Sequence, residues 1–124
     1  MNADVNGLTE RVIGCAYAVS NGLGAGFLES VYENVLAVEL SSAGIAYQRQ
    51  KALQVFYAGE VVGQFAADFL VEDCVIVELK SVRTLLPEHQ AQLINYLKAS
   101  RLKVGLLVNF GTSKVQVKRM VHQL

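Results

Sequence analysis

The chain has 124 residues, 52% of them hydrophobic and 18% charged, which excludes a disordered polypeptide and leaves room for one domain with a real core. Eleven Lys and Arg balance eleven Asp and Glu, so bulk charge does not provide the pull on phosphates that a strongly basic nucleic-acid binder has. A locally basic cleft or a bound metal ion would have to provide it. Along the chain, residues 8–20 read as a helix, with Leu8, Val12, Ala16 and Val19 at helical spacing and Asn6 or Thr9 as caps. The glycine-rich run Asn21 to Gly26 ends it. A second helix is expected from Leu28 to Ser42, with Leu28, Val31, Val35 and Val38 on one side and Gly44 as terminator.

The period then becomes alternating. Residues 46–57 read as a strand, 58–60 as a tight turn and 61–71 as the antiparallel partner; Glu72 and Asp73 mark another turn, and 74–82 read as a third strand. Pro87 and Glu88 suit the first turn of a helix that continues to Ser100. Val104 to Phe110 has the apolar pattern of a strand buried on both faces. Val115, Val117 and Val121 indicate a last, half-exposed strand. The order ααβββαββ is that of an α/β protein, a mixed sheet flanked by helices.

One proline and ten glycines leave no low-complexity linker, and no solenoid repeat is present, so residues 1–124 are expected to form a single domain. Cys15 and Cys74 are too few for an iron–sulfur cluster or a Cys-based zinc site and are expected to be reduced and buried. Met1 to Asn6 lacks the basic start and apolar run of a signal peptide, and Val12 to Val19 is too short to cross a bilayer. A cytoplasmic protein without a membrane partner is the expectation.

The third strand sets Ile76, Glu78 and Lys80 on one face and Val75, Val77 and Leu79 on the other, which is core. A solvent-facing strand shows the same Glu-x-Lys alternation. Asp68 narrows the choice, because aspartate is depleted in strands and this one lies in the apolar run Phe65 to Leu70. A hairpin turning on residues 72–74 places Asp68 opposite Glu78, on one face, with Cβ atoms about 5 Å apart. A two-residue turn would send Asp68 to the other face. Two carboxylates that close repel unless a cation or proton lies between them. With Lys80 beside them they form a candidate site for metal-assisted phosphodiester hydrolysis. Mg²⁺ takes oxygen ligands and few carboxylates, polarises a phosphoryl oxygen and acidifies a bound water. Lys80 would orient that water or offset charge developing on the phosphate. Glu29 follows the glycine-rich break, where it either joins the site or complements the helix dipole. Gln92 and Tyr96 share one face of the later helix, as site residues or as an ordinary polar edge with Tyr96 over the core. His89 stands one turn earlier, near the site or on the surface.

These residues resemble a known family. Asp68, Glu78, Leu79 and Lys80 look like the D…E-x-K core of the PD-(D/E)XK nucleases, with Ala67 where the name has proline. Gln92 and Tyr96 are similar to the Q-x-x-x-Y motif of the RecB-type branch. Gly26, Glu29 and Tyr32 fit the pattern of the small GxxExxY proteins, as do the segments 68–71, 77–80, 92–97 and 105–111. The resemblance implies a restriction-endonuclease-like αβββαβ core with an additional N-terminal helix and a C-terminal strand. It also implies cleavage of nucleic acid at a divalent metal, Mg²⁺ with Mn²⁺ able to substitute. Asp68, Glu78 and the Leu79 carbonyl would be ligands, with Glu29 a further acid, directly or through water. Lys80 would serve the attacking water, and Gln92 and Tyr96 would position the site or the substrate backbone.

The expected function is thus a metal-dependent nuclease acting on DNA, with RNA as the second candidate substrate. A nuclease-like module that binds nucleic acid or a protein without cutting is the alternative, and a small-phosphoester enzyme is a third reading. So small a chain offers little surface to embrace a duplex, and a homodimer or partner protein would supply it. Lys114, Lys118 and Arg119 would hold a phosphate backbone or protect a solvated edge strand.

Overall fold

The structure is a computed structural model and describes residues 4–123; residues 1–3 of the stretch read for a signal peptide lie outside it. The Asp4 carboxylate accepts the Gly7 N–H at 2.9 Å, so helix α1, Val5–Leu23, starts a turn earlier than expected and its cap is Asp4 rather than Asn6 or Thr9. Leu8, Val12, Ala16 and Val19 are all buried, as their spacing predicts. Helix α2, Glu29–Ser42, corrects the expectation for its face. Tyr32, Leu36 and Leu40 are fully buried, whereas Leu28 and Val38 are 75% and 61% exposed. The tyrosine–leucine stripe carries more apolar area per residue than the valines, and it wins the core.

Five strands follow: β1 (Tyr47–Tyr57), β2 (Glu60–Val71), β3 (Val75–Lys80), β4 (Val104–Asn109) and β5 (Gln116–Val121), with helix α3 (Pro87–Ser100) between β3 and β4. They form one sheet in the order β1-β2-β3-β4-β5. β3 and β4 are parallel, as the α3 crossover requires; the other neighbours are antiparallel. α1 and α2 cover one face through a cluster that includes Val12, Tyr32, Phe69, Val77, Leu106 and Phe110. α3 covers the other through Leu93 and Leu97 against Ala67, Leu70, Ile76 and Leu107. This is the mixed α/β, restriction-endonuclease-like arrangement expected.

Because α3 lies over it, the face of β3 that carries Ile76 and Glu78 is not a solvent face: Ile76 is fully buried and Glu78 is 7% exposed. β3 also ends at Lys80, two residues sooner than expected. Beyond it the Asn109 amide, at the end of β4, grips the departing chain: Oδ1 accepts the Val82 N–H (3.0 Å) and Nδ2 donates to the Val82 carbonyl (2.9 Å). The same Oδ1 accepts the Gly111 N–H and Nδ2 donates to Gln116, so this fully buried amide is satisfied. Cys15 and Cys74 are free thiols, but only Cys15 is buried; Cys74 sits half-exposed in the β2–β3 turn. Among the described residues no helix is long and apolar enough to cross a membrane.

Gly111 shows how tightly the Asn109 clamp is drawn. A Cβ there would lie 2.2–2.6 Å from the main chain of Val82, which has no side-chain rotamer to yield. Gly14, exposed in the interior of α1, would put a Cβ into open space. Gly111→Ala should therefore lose about 3 kcal/mol or more in chemical denaturation, and Gly14→Ala should gain about 0.5–1 kcal/mol through helix propensity. Equal small effects would show that the clamp is slack.

Candidate active site

The site begins with a turn. Glu72, Asp73 and Cys74 connect β2 to β3, Glu72 and Asp73 both adopting left-handed φ values of 52° and 58°. This odd-numbered turn pairs Val71 with Val75, Leu70 with Ile76 and Phe69 with Val77. One step further along the same register, Asp68 stands opposite Glu78, and there the main-chain ladder stops. The side chains take over. The Asp68 N–H donates to Glu78 Oε2 at 2.8 Å, and the Leu79 N–H donates to Asp68 Oδ2 at 2.8 Å. Each carboxylate thus stands in for a carbonyl of the opposing strand.

Asp68 can do so because β2 breaks its alternation at this residue. Ala67 and Leu70, three apart, both belong to the layer beneath α3, whereas strict period two would put them on opposite faces. Gln50, across from Asp68 on β1, has a matching irregularity, with φ at 49°. Its amide donates to Asp68 Oδ1 (3.2 Å) and to Glu33 Oε1 (2.8 Å). The two acids therefore meet near the plane of the sheet, in the gap between β2 and β3.

Burial pushes the Glu78 carboxyl up to about 7, with repulsion from Asp68 next in weight and Glu29 adding to it; the Asp68 N–H and the Lys80 ammonium pull the other way. Lys80 is half-buried at the end of β3. Tyr96, stacked on Phe65 with ring centroids 3.8 Å apart, has its phenol pushed up by burial and then by Glu78 and Asp68. Glu29, the first residue of α2, accepts the Ser81 N–H at 3.3 Å, one residue beyond Lys80. Tyr32 holds the glycine-rich break that leads there: its hydroxyl donates to the Gly24 carbonyl (2.5 Å) and accepts the Phe27 N–H (3.2 Å), while its ring stacks on Phe110. The spacing of Gly26, Glu29 and Tyr32 thus has a mechanical content. Gly26 turns the chain at φ 109°, Tyr32 pins it, and Glu29 faces the end of β3.

The structure gathers Asp68, Glu78, Lys80 and Tyr96, with Glu29 at the edge. Gln92 is exposed one turn before Tyr96 and makes no side-chain hydrogen bond among the described residues. His89 has a structural partner: its Nδ1 accepts the Leu86 N–H at 3.0 Å at the start of α3. Sequence reasoning missed Glu33, whose carboxylate holds Arg49 at 2.8 Å as well as Gln50. The polar triplet Gln48 to Gln50 in a strand, and Glu33 one turn after Glu29, were the available signals.

Among the described residues no three His, Cys, Asp or Glu side chains converge as a preformed metal cluster. Two carboxylates do converge, and each keeps lone pairs beyond its main-chain bonds. In an antiparallel strand a residue's N–H and C=O point toward the same neighbour, so the Leu79 carbonyl faces the gap its N–H faces. Two carboxylates, one carbonyl and water fit the needs of Mg²⁺.

The profile of the PD-(D/E)XK nuclease superfamily matches residues 6–120. The chain belongs to that superfamily. As a PD-(D/E)XK protein it shares its fold with a solved structure described as "Crystal structure of SSO0001": the TM-score is 0.62 at 19% identity, over 77% of this chain and 50% of that one. The chain thus spans about half the length of that relative. No curated protein sequence matches it.

Glu78 binds its proton more tightly in the folded chain, where its pKa is about 7, than at the ordinary value of 4.5. Its favourable contribution is complete below that ordinary value and is lost as pH rises through about 7. In chelator, the wild type should lose on the order of 3 kcal/mol between pH 4.5 and pH 8 from this group alone. Glu78→Gln, which keeps an acceptor for the Asp68 N–H, should lose far less and be the more stable protein at pH 8. Parallel pH–stability curves for the two proteins would refute the assignment.

Proposed function

We propose that the protein is a divalent-metal-dependent nuclease that hydrolyses phosphodiester bonds of DNA, and of RNA by the same chemistry, with residues 1–124 acting as one domain. The observation that carries this is the reciprocal bonding of Asp68 and Glu78 across the opened β2–β3 ladder, with Lys80 in the field of Glu78. Purely structural acids do not need to be buried as a repelling pair. Asp68, Glu78 and the Leu79 carbonyl would hold Mg²⁺, Mn²⁺ substituting, and Glu29 would add an acidic ligand, directly or through water. The ion would supply Lewis-acid polarisation of the phosphoryl oxygen and a water of lowered pKa.

The remaining work falls to the chain. Glu78 gives up its proton as it takes a cation as neighbour. Lys80 orients the attacking water and offsets charge on the phosphate. The exposed amide of Gln92 is free to take a substrate phosphate oxygen, with Tyr96 fixed beside it by its stack on Phe65. Within the superfamily we place the chain with the GxxExxY proteins of the RecB-type branch, on Gly26, Glu29, Tyr32, Gln92 and Tyr96. Its two free thiols suit the cytoplasm. A homodimer or a partner protein would extend the small nucleic-acid-facing surface.

The test is cleavage of labelled single- and double-stranded DNA and RNA by the pure protein in Mg²⁺, in Mn²⁺ and in chelator. Cleavage should require metal, and Asp68→Asn and Lys80→Ala should each reduce it by about 100-fold or more. Cleavage that survives both substitutions would betray a contaminant and favour a binding module that does not cut.

A further inference from the structure

β1 and β2 run well past the rest of the sheet: β3 pairs with β2 only at Phe69 to Val71, while β1 and β2 pair from Tyr47 to Glu60. The overhanging ribbon and the C-terminal end of α3 enclose an open cleft of about 520 Å³. Phe56, 53% exposed, the exposed Gln54 and Gln64, and Arg101, the C-cap residue of α3, are among the residues that line it. Arg101 also lines a second depression, of about 270 Å³, with Lys98, Lys103 and His122. No carboxylate lines either one. Among the described residues the one ion pair is Arg49 with Glu33, so Lys98, Arg101 and Lys103 have no acidic partner there. A chain of zero net charge has gathered unpaired cations at one end of one helix, beside an exposed ring.

The cleft and the carboxylate site draw on the same two elements, β2 and α3. Along β2, Gln64 lies four residues from Asp68, about 13 Å at the rise of a strand. Along α3, Ala99 and Ser100 lie one turn beyond Tyr96. Phe65 and Tyr96, which stack on each other, follow the cleft residues on the way to the acids along the two elements. A strand leaving the site along this track would cover the distance in about four stacked nucleotides, at roughly 3.4 Å each.

We propose that this track is a subsite for single-stranded nucleic acid flanking the scissile bond, with a base stacked on Phe56 and phosphates against Arg101, Lys98 and Lys103. A paired base hides its face within the stack, whereas an unpaired one offers it to an exposed ring. Gln54 and Gln64 each carry both a donor and an acceptor, which suits any base edge. A second copy of the chain is the poorer occupant, because two-fold pairing at this end would bring the same unpaired cations together. The link to Asp68 and Glu78 rests on the nuclease reading; the binding itself does not.

The test is fluorescence anisotropy of a labelled oligodeoxythymidylate with the full chain in chelator, where nothing is cut, beside sedimentation velocity and a separate cleavage assay. Phe56→Ala and Arg101→Ala should each weaken binding about fivefold or more. Phe56→Tyr should restore it. Arg101→Ala should lower the salt slope by about 0.7, as for one phosphate of a single strand. Arg11→Ala, an equal charge change on α1 across the sheet, should bind like the wild type. Wild-type affinity in both Phe56→Ala and Arg101→Ala, or no binding by the wild type, overturns the subsite. So does a dimer that Phe56→Ala dissociates, since a second copy would then fill the cleft. A wild type that fails to cut while Phe56→Ala weakens binding removes the nuclease reading and leaves the subsite. A wild type that cuts, with both variants binding normally, does the reverse.

Discussion

Two carboxylates replace two carbonyls in the ladder between β2 and β3, and most of the surrounding structure serves that exchange. Asp68 and Glu78 repel each other, and Glu78 is almost wholly buried. Burying like charges side by side is unfavourable unless something nearby answers each of them. Main-chain N–H groups of Asp68 and Leu79, the Gln50 amide and the Lys80 ammonium share that task. The left-handed residues of the 72–74 turn set the pairing. The Asn109 clamp fixes where β3 stops, and Tyr32 fixes where the chain enters α2.

Turn parity was the most informative feature of the sequence. An odd-numbered connection puts Asp68 opposite Glu78, and the observed three-residue turn does so. The α1 stripe was equally plain, because four small or aliphatic residues at helical spacing admit one buried face. On α2 two apolar stripes competed, and periodicity alone does not rank valine against leucine and tyrosine. The in-plane placement of the acids was invisible for another reason: alternation rules assume an unbroken strand, and the break at Asp68 needs Gln50 on a different strand to complete it. Glu33 was missed because its partners, Arg49 and Gln50, lie beyond a helix end and a turn. Such contacts follow from the fold and not from local pattern.

Ala67 shows which parts of a motif carry chemistry. It is fully buried against the α3 layer and pairs with Lys51 on β1. Its side chain touches neither acid's hydrogen bonds, so the site asks of this position an apolar residue of modest size. The proline of the family name is dispensable on that view, whereas the residue after it, which must accept from Leu79, is not.

Charge in this molecule is arranged locally. The acids converge at the β2–β3 gap, whereas Lys98, Arg101 and Lys103 gather at the end of α3. The same helix that covers this face of the sheet thus ends in a group of cations without an ion-pair partner among the described residues. Repulsion at the gap raises the affinity of Glu78 for any positive charge, and a metal ion would have to compete there with a proton. Cations placed too near would neutralise the acids and weaken that affinity. At the far end of α3 they leave the gap negative. A net charge of zero thus contains local fields of opposite sign at the two ends of α3's contact with the sheet.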